Sequence, residues 1–175
     1  MKIDDDHLYY GAAVIQIAEH PSFTAINEYA RNGKAIRCAY WVNNDIGVYL
    51  KYRTKPSRTA YWGKNETRAH EYLFIFNEES RQTLSKMAKG ASSLFVGFVC
   101  VKDRQICCLP YSDFEELVER RRRHVGEDER QYVVVVSLLE GGQFRVYVTE
   151  AAKRNSVLGD PILVPRKAFP ERIFS

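Results

Sequence analysis

Residues 93–101, SLFVGFVCV, carry no charge and, apart from Ser93 and Cys100, no polar side chain. The run is too short to cross a bilayer, and it is apolar at both odd and even positions. As a strand it must therefore be covered on both faces. A chain that contains it has to build layers, with this strand in the middle of a sheet.

The flanking sequence supplies the other elements. Asp6 is placed to cap a helix from His7 to about His20, with Tyr9, Ala12, Ala13, Gln16 and Ile17 on one face and Pro21 as its stop. PSFTAINEYARNG reads as a second short helix, from Ser22 to Gly33. AIRCAYWV (35–42) and residues 46–53 read as strands joined by the turn NND, a hairpin. Residues beyond it, through Pro56 and Gly63, lack periodicity and are expected to be loop. EYLFIF (71–76) reads as a third strand, and Asn77 as the cap of a helix over 78–89 closed by Gly90.

After 93–101 come a turn at KDRQ, a short strand ICCL, and the helix SDFEELVERRRRH with Ser112 and Glu115 as a capping box. QYVVVVSLLEGGQFRVYVTE gives two strands around Gly141–Gly142. The tail ILVPRKAFPERIF carries apolar residues that can pin the terminus. The expected class is α/β (α+β): a central mixed sheet flanked by helices, in the order α-β-β-β-α-β with an added helix and C-terminal hairpin. One domain over 1–175 is expected, with its core at about 7–118 and the extension at about 111–175.

With 45% hydrophobic and 27% charged residues the profile is that of a globular chain. MKIDDDHLYY is acidic where a secretory signal would be basic and then apolar, so a cytoplasmic protein with no membrane partner is expected. Cys38, Cys100, Cys107 and Cys108 match no zinc spacing and read as small core residues.

Charge is unevenly placed. Lys51, Arg53, Lys55, Arg58, Lys64 and Arg68 face the single acid Glu66, so residues 51–68 carry +5 in a chain of net +4. Tyr52, Tyr61 and Trp62 are interleaved among them. Cations release counterions from phosphates, and exposed aromatics stack on unpaired bases, so a nucleic acid, DNA or RNA, is the expected partner. Arg53, Lys55, Arg58, Lys64 and Arg68 are the candidate phosphate contacts, and Tyr61 and Trp62 the candidate stacking residues. In the run Arg120–Arg123, Glu116 and Glu119 are placed to pair with Arg120 and Arg123, while Arg121 and Arg122 have no such acid and extend the candidate phosphate surface.

Lys51 interrupts an apolar strand, with Asp45 shortly before it. That placement, together with the order of elements in DIGVYLKYRTKP…HEYLFIFNEESRQTLSKMAKGASSLFVGFVCV, resembles the restriction-endonuclease-like PD-(D/E)XK superfamily over roughly residues 7–118. The resemblance implies Lys51, Asp45 and Glu19 as catalytic residues, with Asp45 and Glu19 holding Mg²⁺ or Mn²⁺. The position two before the lysine, a carboxylate or glutamine in that family, is here Tyr49. A divergent or degenerate metal nuclease is one expectation. Its alternative is a non-catalytic protein-interaction module, homo-oligomeric or bound to another protein through an edge of the hairpin VVVVSLLEGGQFRVYV.

Overall fold

The computed structural model describes residues 1–150 and 156–175. The fold is mixed α/β, with three α-helices and ten strands in two five-stranded sheets among the described residues. Helix α1 (Asp5–Ala18) and its cap both begin two residues earlier than predicted. Asp4 is the N-cap, accepting from the His7 amide, while the His7 ring accepts from the Asp4 amide. Asp5 and Asp6 then occupy the first turn, where negative charge suits the helix dipole.

The second predicted helix is instead strand β1 (Ile26–Arg31), hairpinned onto β2 (Lys34–Val42). Ile26, Tyr29 and Ala30 have helical spacing, but a bulge between Glu28 and Tyr29 is what breaks the strand alternation. The turn is Asn32–Gly33, both at positive φ (52° and 74°), the geometry that a tight hairpin demands and that Asn-Gly supplies. β3 (Ile46–Arg53) pairs with β2 as expected. Asn43 latches that turn, its Oδ1 accepting from the Thr24 and Ala25 amides and from the Thr24 hydroxyl.

The basic segment is also not a loop. Arg58–Trp62 (β4) and Thr67–Asn77 (β5) form an antiparallel hairpin. β5 does not join β3; it founds a second sheet. Helix α2 (Glu78–Gly90) carries the chain back, so that β6 (Ser93–Cys100) lies parallel to β3, with β7 (Gln105–Pro110) beyond it. The first sheet is thus β1-β2-β3-β6-β7, and SLFVGFVC sits inside it as its composition requires.

Asn77 caps α2 by accepting from the Ser80 amide at 2.8 Å. Asn77→Ala is expected to cost about 1 kcal/mol, a fall of about 2–4 °C in Tm by thermal denaturation. Helix α3 (Tyr111–Val125) begins one residue before the predicted one, with Pro110 at its N-cap. No side chain caps it, so the Ser112–Glu115 box does not form. It ends at Gly126, in the left-handed region at φ 88°.

β8 (Gln131–Leu139) and β9 (Phe144–Thr149) are the expected C-terminal hairpin, followed by a strand that sequence reasoning missed, β10 (Val157–Val164). The second sheet runs β10-β9-β8-β5-β4. Both strands of the hairpin are internal, so the edge expected for partner pairing is covered. The edges are β4 and β10.

The two sheets share one core. Tyr49, Tyr72, Phe74, Phe76, Phe98, Val134 and Phe144 lie between them, with Phe74 and Phe98 ring centroids 4.8 Å apart. The other face of the first sheet is covered by α1 and the tail, through Ala13, Ile17, Val48, Leu50, Phe95, Phe169 and Ile173. The tail therefore does pin the terminus. Cys100, Cys107 and Cys108 are buried and Cys38 half-buried, all four as free thiols. Among the described residues no helix is long and apolar enough to cross a membrane.

Candidate nucleic-acid interface

Alternation along β3 places its side chains as the pattern requires. Tyr49 points between the sheets, and Val48, Leu50 and Tyr52 point towards α1. Lys51 shares the Tyr49 face. Its Nζ lies 4.9 Å from the centre of the Phe76 ring, and Lys51 is half-buried and without an ion pair among the described residues. Burial holds the amine below its ordinary pKa, and no carboxylate opposes that effect.

Asp45 sits in the β2–β3 turn, its carbonyl accepting from the Ser92 amide at 2.9 Å. Six residues of extended chain, about 20 Å, separate it from Lys51. Asp6, from the start of α1, lines a hollow of about 340 Å³ together with Lys51 and Arg53. Glu19 is the C-cap at the far end of that helix. The fold therefore does not bring Lys51, Asp45 and Glu19 together. Among the described residues no group of three or more His, Cys, Asp or Glu side chains is disposed to hold a metal ion. Hard cations such as Mg²⁺ need several converging oxygens, and this donor set does not fit one.

The cationic segment divides in two. On one face of the β4–β5 hairpin Arg58 is tied to buried Glu71 at 2.9 Å. On that same face Trp62 stacks on Tyr147 with centroids 6.1 Å apart, under the Arg145 guanidinium. These two residues are structural. On the opposite face Tyr61 pairs directly across from Arg68, and Tyr61 is 66% exposed. Arg68 keeps only a loose contact, 3.7 Å, with the exposed Glu140.

Further cations reach this side from elsewhere in the chain. The Val101 amide donates to the Arg53 carbonyl, which sets the β6–β7 turn, with Lys102 and Arg104, against the end of β3. Arg53, Lys55, Lys64, Lys102 and Arg104 are all exposed, and none has an ion-pair partner among the described residues. Lys102 and Arg104 escaped the sequence reading because they belong to a turn that only the parallel β3–β6 pairing brings near residues 51–68.

Arg121 and Arg122 do not extend this surface. Arg121 is buried on Glu129 (2.7 Å) and the Thr149 carbonyl. Arg122 pairs with Glu119 and, at 3.5 Å, with Asp128. Arg120 and Arg123 make the expected pairs with Glu116 and Glu119, at 3.2 and 3.3 Å.

Beside Arg68 on β5 lies a further polar group. His70 Nδ1 is 2.9 and 3.0 Å from the two carboxylate oxygens of Asp103, in the β6–β7 turn. The buried Tyr72 hydroxyl donates to the same carboxylate. Burial, then Asp103, raises the Tyr72 pKa. The signal for this stripe was RAHEY, in which Arg68, His70 and Tyr72 alternate onto one face of a strand. Comparison of the chain with protein-family models, with curated proteins and with solved structures gives no match.

Proposed function

We propose that this chain binds single-stranded nucleic acid on the face of the β4–β5 hairpin that carries Tyr61 and Arg68. The observation that carries the reading is the Tyr61–Arg68 cross-strand pair, an exposed ring beside a guanidinium, with five exposed cations that have no ion-pair partner among the described residues. A base stacks on the ring, and Arg53, Lys55, Lys64, Lys102 and Arg104 take the phosphates on either side. Binding of this kind needs no divalent ion, and the Lys51, Asp45 and Glu19 placements give it no part.

The test is a fluorescence titration of a mixed-sequence oligonucleotide at increasing salt. Five phosphate contacts give a slope of log K against log salt of about −3.5, roughly a 100-fold loss from about 50 to about 200 mM. Tyr61→Ala is expected to weaken binding about 10-fold by removing one stacked base, with the slope unchanged. No binding at low salt, or an affinity indifferent to salt, would overturn the reading.

A further inference from the structure

We propose that the His70–Asp103–Tyr72 relay is a metal-independent site for cleaving RNA at the nucleotide held on Tyr61, an inference that rests on the binding reading above. The relay spans both sheets: His70 and Tyr72 come from β5, and Asp103 from the turn after β6. It opens into a hollow of about 180 Å³ lined also by Arg68, Glu140, Gly141 and Arg166. At about 30 Å³ per water this is about six waters' worth, room for a phosphate and the adjoining ribose hydroxyl rather than for a whole nucleotide.

Its chemistry follows from which atoms are already committed. A carboxylate only accepts, so the ring nitrogen facing both oxygens of Asp103 carries the hydrogen, and Nε2 is left as the basic one. Tyr72 donates to the same carboxylate, at the Oδ2 that His70 also contacts, so the imidazole is held in one tautomer and one orientation. Arg166 is tied by Nε and Nη2 to the Gly142 and Leu139 carbonyls, while Nη1 makes no hydrogen bond among the described residues. The Arg68 guanidinium lines the same hollow, in loose contact with Glu140 at 3.7 Å. An oriented base and two guanidiniums lining one hollow supply a proton acceptor and positive charge for a phosphoryl transition state without a metal.

Register supplies the position. Tyr61 lies opposite Arg68, and His70 is two residues along the same face, about 7 Å away. A base stacked on Tyr61 therefore sets its own ribose and 3′ phosphate over Arg68 and His70. Nε2 removes the proton of the ribose 2′ hydroxyl, and O2′ forms a bond to the adjacent phosphorus as the bond from phosphorus to O5′ breaks. The departing O5′ takes a proton from water, and the imidazolium returns its proton to solvent. The products are a 2′,3′-cyclic phosphate and a 5′ hydroxyl, with no oxidant, reductant or metal consumed. DNA, lacking the 2′ hydroxyl, is bound and left intact. His70 is the catalytic residue; Asp103 acts through it and is a positioning residue.

The experiment incubates the full chain with single-stranded RNA and with DNA of the same sequence, in EDTA, at saturating protein. The expected result is cut RNA ending in cyclic phosphate, intact DNA, and a rate at least about 100-fold lower in His70→Gln. In Asp103→Asn the amide can donate to Nδ1, which favours the tautomer with hydrogen on Nε2. That variant should lose kcat at least about 100-fold with KM little changed, a split that mere loosening of the fold would not give. RNA that is bound but stays whole overturns this inference alone, as does cutting that survives His70→Gln. Failure to bind either strand overturns the binding reading and this one with it.

Discussion

Replacing Lys55, Lys64, Lys102 and Arg104 together by glutamate lowers affinity for single-stranded nucleic acid at least about 100-fold at about 50 mM salt, and collapses the salt slope from about −3.5 to less than about −1. All four are exposed and without an ion-pair partner among the described residues, so no buried acid there is stranded by their loss. Stability should move by no more than about 0.5 kcal/mol for each substitution, which thermal denaturation would verify. The set is chosen across three chain segments: the loop after β3, the β4–β5 turn and the β6–β7 turn. If only Lys55 and Lys64 matter, the surface ends with the hairpin and the contribution of the β6–β7 turn is removed from the reading. Arg58→Glu is the contrasting variant. It sets two carboxylates against each other at buried Glu71, and should unfold the hairpin rather than report on binding.

Alkaline pH is the second large lever, and its direction follows from burial. The Cys108 thiol is pushed up to about 12 from an ordinary 9.0, chiefly by burial. Burial likewise raises the Cys100 and Cys107 thiols and the Tyr10, Tyr49 and Tyr111 hydroxyls, as it does Tyr72. In each case the folded chain holds its proton to higher pH than the unfolded chain does. Their contribution to stability is therefore whole below about pH 9 and declines as pH rises through the folded values. Three pH units at Cys108 alone correspond to on the order of 4 kcal/mol, against a total stability of about 5–15 kcal/mol. With the other thiols and hydroxyls added, base-induced unfolding near about pH 11 is expected. Urea midpoints measured from about pH 8 to 11 would check it, and Cys108→Ala should flatten the curve. A midpoint flat over that range would show that these groups ionise without unfolding the chain.

What could be read from the sequence was whatever lies along one element. SLFVGFVC announces its central position, Asn77 and Gly90 bracket α2, and the β2–β3 hairpin follows from NND between two apolar runs. β1 was misread because its half-exposed edge position and bulge leave Ile26, Tyr29 and Ala30 with helical spacing, and Gly33, read as a helix stop, belongs to the hairpin turn Asn32–Gly33. β4 was lost among its cations: it is an edge strand of five residues, and only Ala60 and Trp62 turn inward. β10 was hidden by Gly159 and Pro161, which lie where its pairing with β9 slips.

The site was less legible than the fold, because its parts meet only through strand pairing. His70 and Asp103 are thirty-three residues apart. Nothing in either local sequence says that β5 founds one sheet while the β6–β7 turn closes over it from the other. Lys51 failed as a guide for the complementary reason. Its strand was right, but Asp45, in the β2–β3 turn, lies at the other end of that strand.

The parallel pairing of β3 with β6 also governs how the protein is made. Residues 54–92 leave the first sheet, build the β4–β5 hairpin and α2 elsewhere, and return before β3 gains its second neighbour. A nascent chain must therefore emerge through Cys100 before the N-terminal three-stranded meander is covered on that flank. Until then Val48 and Leu50 lack the strand that will bury them, which makes this the interval in which a growing chain is most exposed to aggregation.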